Sequence, residues 1–351
     1  MLFTELEYLG MLIISFTSSY YLVPFLRRIA EKFNILDFPN EQHKSHSTAV
    51  PYLGGIAIVI PVVALTLIGP LVSSSSELFL NNVAILIIPS LLLSLLGFID
   101  DVSKLGAKKK FIVQILASCL VAFYLNEKGF LVTISNNTWL NYAVSILWMV
   151  GITNSFNLLD NFDGSTAGVA AISSFFLFLL SLLNSQFLIA AFSIALLGAL
   201  LGFLPWNIIP ARIFLGDGGA LFIGMILAVL LLRFETTNEN RLTAILIPVL
   251  LTAIPIIDTS VAFFGRLSRG ISPFQGGRDH LSHRLLAKGL SRKRTIATLW
   301  ILAFFYNLSA LVLQLLPGEL ATIFSLGLIF SIALLIFFFL NLDSGFDFGR
   351  I

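Results

Sequence analysis

The 351-residue chain is 57% hydrophobic and only 11% charged, with a formal net charge of +2. Soluble domains carry about 25% charged residues, so a chain this apolar could not cover its surface in water. The composition therefore excludes a soluble globular protein. A single cysteine, Cys119, also excludes an internal disulfide.

Long apolar runs such as "LLSLLGFI" and "FSIALLGALLGFL" do not alternate as the strands of a membrane barrel would. A helix needs about 20 apolar residues to cross a bilayer. The first run follows "MLFTELEY", which lacks the basic segment of a signal peptide, so we predict an uncleaved first span. Eleven spans are predicted, near 8–26, 52–72, 82–99, 111–126, 140–153, 166–183, 186–204, 218–232, 243–264, 295–316 and 320–341.

The distribution of charge predicts the orientation of these spans. Eighteen of the 21 lysines and arginines lie in loops on one side of the predicted membrane, and basic loops face the cytoplasm. The sequence thus predicts an all-α polytopic protein of the cell membrane with 10–11 helices, its N-terminus outside and its C-terminus in the cytoplasm. We expect one domain, 1–351, with an active site on cytoplasmic loops at about 27–51, 100–110, 154–165, 205–218 and 265–294.

Aspartates are concentrated on that same side. Asp100 and Asp101 end one span, Asp160 and Asp163 lie three residues apart, and Asp217 occurs in "GDGG". Taken alone, Asp100 and Asp101 fit a solvated helix end neutralised by nearby lysines. Other acid-bearing segments share the same cytoplasmic face, and the side chains near them that could bind a metal offer oxygen atoms. We therefore predict a Mg²⁺ site that also uses substrate phosphates.

Basic and aromatic residues supply the remaining candidates. Lysines, arginines and the histidines of "RDHLSHR" could bind phosphate, or they could only set topology beside anionic headgroups. Asn207, Phe214 and Trp206 precede Asp217 and could stack on and hydrogen-bond a nucleobase; an interfacial aromatic belt is the alternative for Trp206. Residue chemistry thus predicts phosphoryl transfer between a soluble nucleotide compound and a lipid.

Six segments in order resemble the polyprenyl-phosphate N-acetylhexosamine-1-phosphate transferases. They are "DFPN…KSH….PYLGG", "GFIDD…K…KKKF..Q", "NSFNLLDNFDG", "FLGDGG", "PIIDT" and "SPFQGGRDHLSHRL". The resemblance implies transfer of a sugar 1-phosphate, first of all N-acetylglucosamine 1-phosphate, from a UDP-sugar to undecaprenyl or another polyprenyl phosphate. UMP is released, and Mg²⁺ is required, with Mn²⁺ as a substitute. The expected partners are these substrates and membrane lipid, with no nucleic acid, and a homodimer is compatible with the family.

The same resemblance implies residue roles. Asp217 corresponds to a metal ligand, Asp160 to a metal-binding or nucleophilic acid, and Asp100 and Asp101 to adjacent catalytic carboxylates. The nucleotide-sugar set is Asn154, Asn157, Asp163, Asn207 and Phe214. The phosphate set is Lys108, Lys110, His280 and His283, to which the basic composition of that loop adds Arg284. Direct attack by the lipid phosphate and a covalent enzyme intermediate both remain open.

Two differences from the family pattern bear on the identity of the transferred sugar. Lys104 stands where many members have a third acid, as in the muramyl-pentapeptide branch, yet "HLSHR" lacks the triple histidine of that branch. A simple N-acetylhexosamine is therefore expected, with a UDP-MurNAc-pentapeptide as the alternative. An ion-coupled transporter is the alternative of a different class, but its acids should lie near the membrane midplane. A CDP-alcohol phosphatidyltransferase is excluded because Gly168 stands where that motif needs arginine.

Overall fold

The computed structural model describes residues 4–37, 49–72, 76–132, 135–273 and 275–342. Part of the first predicted loop, 38–48, and the tail 343–351 lie outside the described residues. The helices are α1 Glu5–Lys32, α2 Ile56–Val72, α3 Ser76–Ser103, α4 Ala107–Glu127, α5 Thr138–Leu159, α6 Ser165–Leu183, α7 Phe187–Asn207, α8 Gly216–Arg233, α9 Arg241–Leu251, α10 Ala253–Leu267, α11 Leu281–Ala287, α12 Arg292–Leu315 and α13 Gly318–Leu340.

A two-stranded antiparallel sheet, β1 Leu36–Asp37 and β2 Val50–Pro51, precedes α2. Within the described ranges, nine helices are long and apolar enough to cross a membrane. The architecture is therefore that of an all-α polytopic membrane protein. One predicted span differs: the run 243–264 is broken into α9 and α10.

Prolines explain the break, which bends α9 against α10 by 76°. Pro255 has no N–H for the carbonyl of Leu251 four residues earlier, and that carbonyl accepts a hydrogen bond from Ser173 Oγ instead, at 2.6 Å. On the other side of the bend, Thr252 Oγ1 donates to the carbonyl of Pro248 at 2.9 Å. Side chains thus satisfy backbone groups that a continuous helix would have satisfied.

The core surrounds α8, which is apolar on every face and 89% buried over its span. Helices α3 and α5 pack against it, and α7 packs between α1 and α6. Helix α13 is only 17% buried, so one side of it packs on the core and its exposed apolar side chains are available to lipid. The amino terminus of α8, with Asp217, is thereby held inside the protein.

Glycine allows α3 and α8 to approach closely. A Cβ on Gly97 would lie 2.5 Å from the carbonyl carbon of Asp217 and from the nitrogen of Gly218. A Cβ on Gly55 would lie 2.4 Å from the Cα of Gly219. These contacts are between backbones, so a methyl group could be accommodated only if a helix moved.

We predict that Gly97→Ala destabilises the protein by about 1–3 kcal/mol, because the added methyl overpacks the α3–α8 contact. Gly10→Ala is the matched control, since nothing lies within 4 Å of its Cβ position; alanine there should be neutral or stabilising by up to ~1 kcal/mol. Thermal unfolding of both variants in detergent measures the difference. Equal melting temperatures would contradict the close packing.

Candidate active site

One polar pocket of ≈ 280 Å³ opens where α3, α5 and α8 meet the loop before α11. Aspartates dominate its wall. They are Asp37, Asp101, Asp160, Asp163 and Asp217. The other lining side chains include Tyr52, Asn157, Asn161, Phe162, Asn207, Phe214, Arg278 and His283. The predicted convergence of acids from separate segments is therefore present in the fold.

Asp217, in the first turn of α8, is held by two other helices. Lys110 of α4 lies 2.6 Å from its Oδ2 and also 2.7 Å from Asp100 Oδ2. Asn157 of α5 donates to its Oδ1 at 2.9 Å. A short salt bridge of this kind fixes the carboxylate orientation and offsets part of its charge.

Asp101 caps α8 from the neighbouring helix α3. Its Oδ1 accepts from the N–H of Asp217 at 3.1 Å and its Oδ2 from the N–H of Gly218 at 3.4 Å. The first N–H groups of a helix lack partners within the helix and carry partial positive charge. Gly216, at φ +74°, makes the approach possible, because a Cβ there would lie 2.6 Å from Asp101 Oδ2.

Asp160 follows the last residue of α5, and its environment disfavours negative charge. Burial, followed by the negative charges of Asp217 and Asp101, raises the pKa of Asp160 well above its ordinary value. The three carboxylates are thus close enough to repel one another. Positive charge entering the pocket would favour the ionised form of Asp160.

At the other end of the pocket, hydrogen bonds join the loop after α5 to the end of α7 and the loop that follows it. Asn207 Oδ1 accepts from the N–H of Gly164 at 3.0 Å. Asp163 Oδ2 accepts from the N–H of Ala211 at 3.1 Å and from Arg292 Nη2 at 3.0 Å. The candidate nucleotide-binding residues Asp163 and Asn207 therefore line the pocket and also fix its walls.

Sequence reasoning gave no role to Tyr52 and Asp37, which both line the pocket. Tyr52 packs beside Phe214, with ring centroids 6.1 Å apart. Burial, with a contribution from Asp37, raises the pKa of the Tyr52 phenol, so the phenol stays protonated and can donate. Asp37 lies in the motif "DFPN" and Tyr52 in "PYLGG", so these motifs could have pointed to both residues. Their proximity, however, depends on the pairing of β1 with β2.

The two histidines of "HLSHR" lie in different places. His283 lines the pocket, whereas His280 is 4% exposed and its Nδ1 lies 2.7 Å from Asp258 Oδ2. Asp258 Oδ1 also accepts from the N–H of Leu281 at 2.7 Å. His280, expected to bind phosphate, thus anchors α11 to α10, and the sequence offered no sign of its pairing with Asp258.

Three further candidates lie away from the pocket wall. Arg284 is buried and donates to backbone carbonyls at the end of α13, including that of Phe339 at 2.9 Å. Asn154 Nδ2 donates to Gln114 Oε1 at 2.5 Å, which joins α5 to α4. Lys108 is exposed in the first turn of α4. Arg284 therefore connects α11 to the end of α13, and Asn154 connects α5 to α4, without lining the pocket.

Comparison with known proteins shows the family of this chain. The sequence profile of glycosyl transferase family 4 matches residues 83–235. A probable undecaprenyl-phosphate N-acetylglucosaminyl 1-phosphate transferase of Bacillus subtilis is 33% identical over 86% of this chain and 84% of its own length. The chain belongs to glycosyl transferase family 4. The matched region contains Asp100, Asp101, Asp160, Asp163 and Asp217.

Other members of glycosyl transferase family 4 also match most of the chain. A phospho-N-acetylmuramoyl-pentapeptide-transferase of Halalkalibacterium halodurans is 29% identical over 83% of this chain and 91% of its own length. A decaprenyl-phosphate N-acetylglucosaminephosphotransferase of Mycolicibacterium smegmatis is 27% identical over 90% of this chain and 84% of its own length. All three are transferases, which favours a transferase over the transporter alternative.

The donor set of the pocket suits a hard divalent cation. Five aspartates line the pocket, and Arg278 is the one Lys or Arg among its described lining residues. In the described part of the chain, no group of three or more His, Cys, Asp or Glu side chains forms a ready-made ion site. Mg²⁺ needs no such cage, because it binds through one or two carboxylates, waters and substrate phosphates. Asp217 and Asp160 are the residues that would hold it.

His283 should contribute a measurable pH dependence to stability. Burial, followed by the neighbouring His280, lowers the pKa of His283 to about 4, below the ordinary value of about 6.5. Between these values the unfolded chain binds a proton that the folded chain does not, so folding stability falls as the pH falls from 7 to 4.

We therefore predict that His283→Gln loses less stability than the wild type over this pH range. Melting temperatures of both proteins at several pH values give the difference between the two slopes. Parallel slopes would show that His283 titrates alike in the folded and unfolded chains.

Proposed function

We propose that this protein transfers N-acetylglucosamine 1-phosphate from a UDP-sugar to undecaprenyl phosphate or a similar polyprenyl phosphate and releases UMP. Such a transfer would be the first membrane step of a cell-envelope glycan. One observation carries the proposal: Asp101 in α3, Asp160 just after α5 and Asp217 in α8 share one pocket at the ends of membrane-spanning helices. A lipid phosphate and a water-soluble nucleotide can meet there. The name of the Bacillus subtilis relative supports the sugar and the acceptor.

The proposed reaction is a direct displacement. An oxygen of the acceptor phosphate attacks the phosphorus that bears the sugar, and the bond from that phosphorus to the bridging oxygen breaks. UMP leaves with the bridging oxygen, so a new diphosphate forms and no external proton acceptor is required. The second pKa of a phosphate monoester is about 6, so the acceptor is already a dianion near pH 7 and needs orientation more than activation.

The chain supplies that orientation mainly through fixed carboxylates and cations. Asp101 and Asp100 are engaged by the α8 backbone and by Lys110 respectively, which supports a role in holding the site rather than in forming bonds to substrate. The acceptor phosphate is itself a competent nucleophile, which favours direct attack over a covalent intermediate on Asp160. Arg278 and His283 line the wall where phosphate oxygens would need donors.

A bound Mg²⁺, or Mn²⁺ in its place, would offset the diphosphate charge and stabilise the leaving phosphate. Asp217 and Asp160 are its proposed ligands. The charge of the pocket supports this cofactor, since two phosphorylated substrates would otherwise enter a cavity lined by five aspartates. We also propose that the pocket faces the cytoplasm, where UDP-sugars are made, in agreement with the basic loops on that side.

A UDP-MurNAc-pentapeptide donor is the second candidate, supported by the Halalkalibacterium halodurans relative and by Lys104. We expect release of UMP from UDP-GlcNAc and at most a trace from the pentapeptide donor. Purified protein incubated with one polyprenyl phosphate and a panel of UDP-sugars measures this preference directly. Greater release of UMP from the pentapeptide donor than from UDP-GlcNAc would instead support the muramyl-pentapeptide specificity.

We predict that Asp217→Asn nearly abolishes release of UMP from UDP-GlcNAc, by about 1,000-fold or more, because a proposed metal ligand and the partner of Lys110 are both lost. EDTA should abolish wild-type activity, and added Mg²⁺ should restore it. The measurement is UMP release by purified protein with polyprenyl phosphate.

Glu319→Gln is the matched control, because it removes an exposed acid in the first turn of α13 and should leave activity unchanged. Both variants must show the melting temperature of a folded protein. Asp217→Asn turning over at the wild-type rate would eliminate the metal-ligand assignment.

A further inference from the structure

The charge pair between Arg292 and Asp163 is not used by the mechanism proposed above. Arg292 Nη2 lies 3.0 Å from Asp163 Oδ2, and the guanidinium lies over the ring of Phe162, 5.2 Å from its centroid. Asp163 and Phe162 line the pocket, whereas Arg292 is the first residue of α12. Arg292 therefore contacts two lining residues from a helix that the sequence motifs do not include.

The position of Arg292 is unfavourable for its helix. Basic residues at a helix N-terminus oppose the macrodipole, and α12 begins with three of them, "RKR". Arg292 forms a salt bridge to a pocket aspartate, and both side chains are partly withdrawn from solvent, with 35% of Arg292 and 13% of Asp163 exposed. Stability of α12 alone does not account for this arginine, whereas fixation of Asp163 does.

The two carboxylate oxygens of Asp163 differ in their hydrogen-bond partners. Oδ2 accepts from both Arg292 and the N–H of Ala211. Within the described part of the chain, Oδ1 accepts no hydrogen bond, which leaves it for a ligand. An ionised carboxylate can only accept, so Oδ1 presents an acceptor to the pocket.

That acceptor distinguishes two pyrimidines. The N3 position of uracil carries a hydrogen and donates, whereas N3 of cytosine is an acceptor and would face Asp163 without a hydrogen between them. Phe214 lines the same pocket and provides an aromatic surface on which a base can stack.

We propose that Arg292 is a positioning residue, which fixes Asp163 as the acceptor for the N3–H of uracil and so makes the site select uridine over cytidine nucleotides. The proposal rests on the proposed function, in that the donor is a UDP-sugar. Arg292 acts through Asp163 and need not touch the nucleotide. A site built to hydrogen-bond a substrate group discriminates strongly against an analogue that lacks it.

Three variants test this role. Arg292→Ala should raise KM for UDP-GlcNAc about 10-fold and weaken inhibition by UMP by a similar factor, the value of one charge-assisted hydrogen bond, while kcat changes by less than about 2-fold. Inhibition by CMP should not change, so the preference for UMP over CMP falls about 10-fold. Arg292→Lys should restore part of that preference. Arg294→Ala removes an exposed arginine from the same turn and should behave like the wild type.

Two results would overturn the proposal. The first is an unchanged ratio of UMP to CMP inhibition in Arg292→Ala. The second is a loss of kcat and of melting temperature at a constant ratio, which would make the pair a structural tie only. Calorimetric binding of UMP and CMP needs no turnover, so it tests Arg292 even where wild-type protein releases no UMP, the result that would overturn the proposed function.

Discussion

The pocket depends on capping of the buried amino terminus of α8 by a carboxylate from another helix. A helix end withdrawn from solvent leaves several N–H groups that need partners. Asp101 of α3 supplies two acceptors, to Asp217 and Gly218, and Gly97 lets the two helices come close enough for these bonds. The same contact that completes the α3–α8 packing therefore places two aspartates side by side.

Carboxylates held together in this way create a charge imbalance that the fold corrects only in part. Lys110 bridges Asp100 and Asp217, but Asp160 remains in surroundings that raise its pKa. A protein selected for stability alone would not bury such a group. The residual negative charge would be offset by the divalent cation that we propose to bind together with the substrate phosphates. The proposed activity would thus use the same negative charge that disfavours the ionised form of Asp160.

The sequence was informative where apolar length and residue type decide the outcome. It predicted helical spans and the meeting of Asp101, Asp160 and Asp217, because each acid lies at one end of an apolar run, on the same side of the membrane. It could not reveal which cations bind which acids, since some of those pairs join residues over 100 positions apart, as in Lys110 with Asp217. The pairing of His280 with Asp258 could not be read from the sequence either, because Asp258 belongs to a different helix.

The central claim is that Asp217 and Asp160 bind one divalent cation together with the diphosphate of a UDP-sugar. Anomalous scattering from Mn²⁺ in crystals of the protein with UDP-GlcNAc tests it most directly. A single peak in contact with both carboxylates and with a diphosphate oxygen is the expected result. A fully bound nucleotide with no manganese beside these aspartates, or with manganese elsewhere in the protein, would contradict the account.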